Sequence, residues 1–530
     1  MKRKNSLLLI ILLLIASIIN AQQPHFNWVK QVGSEIQVNS MANDSLGNLY
    51  MTGIFSGSPD FDPNSGVLVL TDSGFGDVFI SKTDPSGNLV WAKRIGGTSY
   101  DEGKSIAVDA NGNCYVAGFF SLDSIDFDPG INNYFLSSIG GENSFVLKLD
   151  SNGNFIWAKQ IESAYENYSR SLSLDQQNNI LVTGRFEGTA DFDPSASIVN
   201  LSANANAIFI WKLDVNGSFI WVKQIETILT RSHSVATDPT GNVYLTGLLV
   251  ETNDFDPGTA VYSMSNTSAV GHSLFMLKLN PMGDFEWVKK IDNVDMLQND
   301  RSVVVDSMGN SYYGGYILTA TDFDPNIGVH TVVPSSGSNY FLLQIDSNGN
   351  FGWVNQLSDV KGIALDNIGN IYTCGNSIQK FDVTGNNQWT SNNSLSSLIS
   401  ITEGNDIYTN GNFSGTYDFD PDSTVFNMTS GLSGSTFIEK LTPSVLSGVD
   451  DVSQFEKKGI IFPNPSNGVF QIQGAESGEY ILYNSLGSVV LNLLIDANQF
   501  NVIDSSLLGG VYYLTRVNKP KEGTVILIVH

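Results

Sequence analysis

Only two cysteines, Cys114 and Cys374, and five histidines, His25, His233, His272, His330 and His530, occur in 530 residues. Two thiols cannot build a disulfide framework, and their registers, Gly-Asn-Cys-Tyr against Tyr-Thr-Cys-Gly, make them small apolar strand fillers. The histidines show no metal-ligand spacing, and no Gly-x-Ser-x-Gly nucleophile turn occurs. Basic residues are scarce as well: 27 Lys and Arg stand against 53 Asp and Glu, a formal net charge of −26. Without Lys2, Arg3 and Lys4, which sit in a segment expected to be removed, the balance is 24 against 53, or −29. A surface of that sign repels nucleic acid and anionic lipid and suits a soluble protein or a binder of cations. Past the N-terminus no run approaches the ~18 apolar residues of a membrane span.

The one long apolar run, Leu7 to Ile15 continued through Ile18 and Ile19, follows those three basic residues and ends at Asn20-Ala21. That pattern predicts a secretory signal peptide over 1–21 with Ala21 before the cut. An exported domain without disulfides must rest on burial of its core, which a chain of this length can supply.

What the chain has in abundance is repetition. A Gly-Asn-x-Tyr-x-x-Gly-like string recurs at Gly47 to Gly53, Gly112 to Gly118, Asn178 to Gly184, Gly241 to Gly247, Gly309 to Gly315, Gly369 to Gly375 and, with one insertion, Gly404 to Gly411. Trp28, Trp91, Trp157, Trp221, Trp287, Trp353 and Trp389 keep the same register; the first six are 63 to 66 residues apart and the last step is 36. In the type unit, Phe145 to Asp150, Phe155 to Ile161, Ser171 to Leu174 and Ile180 to Thr183 read as strands, separated by turns of Asn, Gly and Asp. Recurrent tryptophans in one register read as packing between repeats; Trp211 stands outside it, either exposed or on a half-buried strand face.

Four short strands per repeat and seven repeats predict an all-β fold, a seven-bladed β-propeller over 22–445, with an open solenoid as the competitor. The ends favour closure. Phe26 to Val32 is a tryptophan strand without a preceding partner, and Phe437 to Leu441 is a strand without a tryptophan strand after it. Pairing them would close the ring and hide two sheet edges. The sixth unit is short: Ser377 follows Gly375 almost at once, where other repeats insert roughly 25 residues. Residues 446–457 read as a linker, and 458–530 as a separate small β-sandwich.

Two resemblances follow. Ala107 to Gly118 and Phe145 to Leu149 resemble the bacterial β-propeller repeat family, whose motifs imply a fold and no chemistry. Phe462-Pro-Asn-Pro-Ser-Asn-Gly468, Tyr483 to Gly487 and Leu508 to Tyr513 resemble the sorting domain of the type IX secretion system of certain Gram-negative bacteria. That resemblance implies passage through the periplasm, engagement of the type IX machinery through 458–530, and release or display outside the outer membrane.

The recurrent polar motif is Asp-Phe-Asp-Pro, which supplies Asp60 and Asp62, Asp126 and Asp128, Asp191 and Asp193, Asp254 and Asp256, Asp322 and Asp324, and Asp418 and Asp420. Carboxylates two apart on extended backbone point the same way and are hard ligands, so Ca²⁺ is the cation they would hold. The alternative is structural: the Phe anchors the loop between blades and each Asp accepts backbone N–H groups. The motif alone falls short of the six or so oxygens calcium takes. Asp109 to Asn113 and Asp150 to Asn154 echo a calcium loop but lack its spacing and distal Glu, and read as hairpin turns. Gly97 to Ser105 ends in Gly-Lys-Ser but has the wrong spacing and no helix for a phosphate loop.

No catalytic constellation emerges. The expectation is a monomeric, secreted or surface-displayed binding or scaffold module without a cofactor, whose partner is a glycan, a peptide or an envelope protein. The rival is a secreted hydrolase or lyase acting on polysaccharide or peptide. A cluster of non-repeating acids, histidines or arginines along the ring axis would favour the enzyme, and a channel lined by equivalent residues the module.

Overall fold

The computed structural model describes residues 23–443 except 122–123, 297–301, 336–338, 393, 422–424 and 432–433, and strands between 460 and 529. The expected signal peptide and the 446–457 linker lie outside these residues. The chain divides into two compact units, Met1–Pro443 and Ser444–His530. Every regular element described is a strand, and no helix is long and apolar enough to cross a membrane.

In the larger unit the strands group in antiparallel fours. The 102–160 group shows why. Glu102–Val108, Cys114–Ser121, Glu142–Leu149 and Phe155–Gln160 lie side by side in chain order. The first turn is closed by Asp109, whose Oδ1 accepts the N–H groups of Asn111 and Asn113 at 2.9 and 3.0 Å. Gly112 takes φ +77° there, a conformation that costs any side-chain-bearing residue. The same build recurs over 36–95, 167–227, 231–296, 303–357 and 362–392. The 231–296 and 303–357 groups are stitched into one longer sheet where Val294 to Met296 pair with Ile317 to Gly315. No single sheet runs around the molecule.

One further group is made from both ends of this unit. Ser396–Ile401, Ile407–Phe413 and Ser435–Thr442 come from the end, and His25–Val32 from the start. The first strand pairs antiparallel with Ser435–Thr442 from His25 opposite Thr442 to Val32 opposite Thr436. Apolar clusters bind neighbouring groups. Tyr50, Val78 and Trp91 share one with Val116 and Phe145, and Tyr312 and Leu342 share one with Ile363 and Phe381. The composite group does this on both sides: Ile399 and Leu441 pack with Tyr372 and Trp389, while Leu398, Tyr408 and Ile438 pack with Ile36, Leu49 and Phe79.

Between the second and third strands most groups send out a short hairpin arm, such as Ser124–Asp126 paired with Phe135–Ser137. In the 362–392 group Ile371–Cys374 passes directly to Ser377–Phe381, so the arm expected to be missing is missing there. Cys114 and Cys374 are buried free thiols, as fillers should be. Trp211 is not exposed; it is fully buried and donates its Nε1–H to the Phe192 carbonyl at 2.8 Å.

The C-terminal unit has two antiparallel sheets. Ile460–Phe462, Val469–Gln473 and Asn501–Asp504 form one, and Val489–Ile495, Gly478–Asn484, Gly510–Arg516 and Val525–Val529 the other. Leu482, Ile495, Tyr512 and Leu514 are buried within it.

Candidate functional site

The Asp-Phe-Asp-Pro arms come first, since their carboxylates are the candidate ligands. Alternation along extended backbone turns the central Phe inward. Phe127, Phe192, Phe255 and Phe323 are fully buried, with Phe61 and Phe419 nearly so. Each meets the Phe of the third strand, as Phe127 meets Phe145 with ring centroids 5.0 Å apart and Phe323 meets Phe341 at 4.9 Å. The first Asp of each motif is spent on its own loop. Asp126 Oδ1 accepts the Asp128 and Tyr134 N–H groups at 3.0 and 2.8 Å, and Asp60, Asp191, Asp254, Asp322 and Asp418 do the same in their arms. The second Asp caps the next turn: Asp62, Asp128, Asp193, Asp256 and Asp324 accept the N–H two residues on, at 2.7 to 2.9 Å. Asp420 is bonded differently and is buried. Among the described residues no three His, Cys, Asp or Glu side chains group as metal ligands. The six motifs sit on separate arms, and within each arm the Oδ1 atoms already serve N–H donors.

The tryptophan register forms a second recurrent arrangement. Trp91 Nε1 and Lys82 Nζ both donate to the Ser151 carbonyl in the outer turn of the next group, at 3.1 and 3.2 Å. Trp28 and Lys440 share Pro85, Trp157 and Lys148 share Val215, Trp221 and Lys212 share Pro281, and Trp287 and Lys278 share Ser347. One carbonyl has two lone pairs, and this latch uses both. Lys82, Lys148, Lys278 and Lys440 also lie over a tyrosine ring, 4.8 Å from the Tyr50 centroid for Lys82, and Lys212 lies over the Trp221 ring. These tryptophans therefore join neighbouring groups.

The third place is where the first strands meet. A cavity of about 330 Å³ is lined by the first strands of several groups, with Ala107, Ser173, Ala236, Val304, Ala364 and Ser400 at equivalent positions. No charged side chain lines it. A second cavity, about 320 Å³, is bordered by the first turns and includes Asp175, Asp238, Asp306 and Asp366. Those carboxylates hold their own turns, as Asp238 does by accepting from Thr240 and Asn242.

Sequence reasoning overlooked two groups. Glu439 is buried at a position occupied by Leu147, Leu277 and Leu343 elsewhere, and burial followed by the nearby Asp420 charge pushes its carboxyl up to about 8. Thr409 donates to it at 2.9 Å. The second comprises the bulge residues of the first strands, treated below; the break in strand alternation at each bulge was their only signal.

Residues 90–118 and 220–248 match the β-propeller repeat family, and residues 460–530 match the secretion system C-terminal sorting domain. The chain carries β-propeller repeats and a C-terminal sorting domain. Each matched repeat runs from a tryptophan strand into the first two strands of the next group, so what it captures is a junction. The sorting domain marks the chain for export across the outer membrane, to the cell surface or beyond, by engaging the secretion machinery. Among curated proteins the chain is similar to the uncharacterized WD repeat-containing protein L264 of Acanthamoeba polyphaga mimivirus. They are 29% identical over 238 residues, 39% of this chain and 17% of that protein. It is also similar to the regulatory protein FlaEY of Caulobacter vibrioides, 24% identical over 335 residues, 60% of this chain and 32% of the relative. The chain thus matches under a third of the length of either. Among solved structures, BamB from Moraxella catarrhalis has a TM-score of 0.34 at 12% identity, covering 79% of this chain and 98% of that one. Regucalcin from Agrobacterium tumefaciens has 0.28 at 12%, covering 64% and 91%.

Proposed function

We propose that the protein is an exported seven-bladed β-propeller, closed by its first strand, that binds an extracellular ligand and does not transform it. Closure is supported by the composite group, since a strand from residue 25 and one from residue 442 share one ladder. It is supported too by the clusters that tie this group to both the 362–392 and 36–95 groups. The binding role rests on the lining of the axial cavity, where small and apolar residues repeat from group to group without an acid or base, while the non-repeating Arg170, Arg231 and His233 outside that lining are the feature that favours the rival enzyme. An active site needs singular groups with shifted protonation, and a binding surface does not.

The Asp-Phe-Asp-Pro arms are read as scaffold without calcium, because one oxygen of each carboxylate already holds N–H groups and the motifs sit on separate arms. Adding EDTA to the full chain should leave its melting temperature unchanged; a fall of several degrees, restored by Ca²⁺, would return the arms to the metal reading. The role itself is tested by incubating the full chain with labelled polysaccharides and peptides. Retention of one class without change in its size distribution is expected. Progressive shortening would establish the hydrolase or lyase instead.

A further inference from the structure

Seven arginines occur in the whole chain, and three of them, Arg170, Arg185 and Arg231, fall within neighbouring strands of the 167–227 and 231–296 groups. Among the described residues five first strands carry a β-bulge five residues before the turn residue. The register shifts at Gly103/Ser105, Ser169/Ser171 and Ser232/Ser234, leaving Lys104, Arg170 and His233 at the bulged position. A bulged residue leaves the ladder and re-aims its side chain. These three stand just before Ile106, Leu172 and Val235, which line the axial cavity, so consecutive groups place Lys104, Arg170 and His233 at the same end of the axis.

The local charges are neutralised unevenly, for Lys104 and Arg185 both lie near the Glu142 carboxylate. Lys104 pairs with Glu102 at 2.7 Å, and Arg185 with Glu187 at a loose 3.8 Å. Among the described residues Arg170 and Arg231 meet no carboxylate. Arg170 and Arg185 instead both lie over the Tyr168 ring, 5.4 and 4.9 Å from its centroid, which fixes two like charges side by side. Tyr168 in turn adjoins Phe119, and Phe119 stacks with Tyr100. His233, 7% exposed, has a buried Nε2 with no hydrogen-bond partner. Burial, then the charges of Arg170 and Arg231, lower its basicity to about 3, so it is neutral, and no carboxylate offsets those arginines.

We propose that Arg170 and Arg231, beside the buried His233 and the Tyr168 ring, form an oxyanion-binding face at one end of the propeller axis, fitted to an acidic polysaccharide. Guanidinium forks match the planar carboxylates of uronic acids and the sulfates of sulfated sugars, and the neighbouring aromatic rings offer faces for sugar rings. A protein of net charge −26 attracts a polyanion only through such a local patch. The inference rests on the binding reading above and names its ligand class.

The test uses the full chain with three immobilised polymers: polygalacturonate, a sulfated dextran and neutral dextran, with single-stranded DNA as a fourth. The charged glycans should be retained, neutral dextran should not, and added salt should weaken retention. Arg170→Ala with Arg231→Ala should lower affinity on the order of tenfold. Lys93→Ala with Lys159→Ala, the same charge change on outer strands, should leave it within about twofold. If the alanine pair lowers the melting temperature, Arg170→Lys with Arg231→Lys keeps the charge, loses the fork and should still weaken binding. Equal losses in the arginine and control pairs, retention of DNA alone, equal retention of neutral dextran or no retention at all would overturn the proposal. Polymer shortening in the same samples would fail the binding reading while leaving the anion site in place.

Discussion

Gly153 faces two demands at once. It holds φ +76° in its turn, and a Cβ there would lie 2.9 Å from the Trp91 indole of the preceding group. The latch therefore asks for a glycine under each tryptophan, and Gly87, Gly217 and Gly385 face Trp28, Trp157 and Trp353 in the same way. Gly153→Ala should cost about 2 kcal/mol, from the unfavourable φ plus displacement of the indole, measured by urea unfolding. Trp91→Phe, which loses the indole donor to Ser151 but keeps an aromatic ring, should cost about 1 kcal/mol. Glu439 gives a pH-dependent counterpart. Its carboxyl is raised from 4.5 to about 8 in the folded chain. Below pH 4.5 it is protonated folded and unfolded alike; between 4.5 and 8 the unfolded chain releases a proton that the folded chain keeps, so stability falls as pH rises and the loss is complete above 8. Glu439→Gln should match the wild type near pH 4.5 and exceed it by about 2 kcal/mol at pH 9 in urea unfolding.

Among the elements, the strand His25–Val32 carries the proposed closure. It covers the edge of Ser435–Thr442, buries Val29 and Val32, and brings Trp28 to the Pro85 carbonyl. A chain beginning at Gly33 would leave that edge open, and unpaired edges recruit other strands. It should unfold at lower urea, by on the order of 5 kcal/mol, and elute as oligomers in size-exclusion chromatography; a monomer of unchanged stability would contradict the closing role. This strand was legible in the sequence because it broke the period: Trp28 opened the tryptophan register with no partner strand before it. The hairpin turns were legible too, since Asp-x-x-Gly-Asn carries its own hydrogen bonds within five residues. The latches were half legible. Lys82 and Trp91 are cross-strand neighbours and repeat visibly, but the Ser151 carbonyl they share lies 60 residues beyond Trp91, and backbone oxygens leave no mark in a sequence. The bulge residues were hidden for a related reason: a single inserted residue shifts the alternation by one, so Arg170 and His233 read as ordinary strand positions until the register is known.

At the scale of the whole molecule, the two compact units divide the work. The repeat unit pairs its own first strand with its own last. The sorting unit has its own sheets and its own buried Leu482, Ile495 and Leu514. On the proposed reading, export and binding are then separable properties. A chain ending at Pro443 should keep the unfolding midpoint of the repeat unit and its retention on acidic polysaccharide, yet accumulate in the periplasm, as fractionation with the repeat unit as antigen would report. Appearance of the truncated chain in the medium at the level of the full chain would mean that the address is written in the repeats. Loss of folding would mean that the closing ladder between residues 25 and 442 is held from outside, which its seven paired positions give no reason to expect.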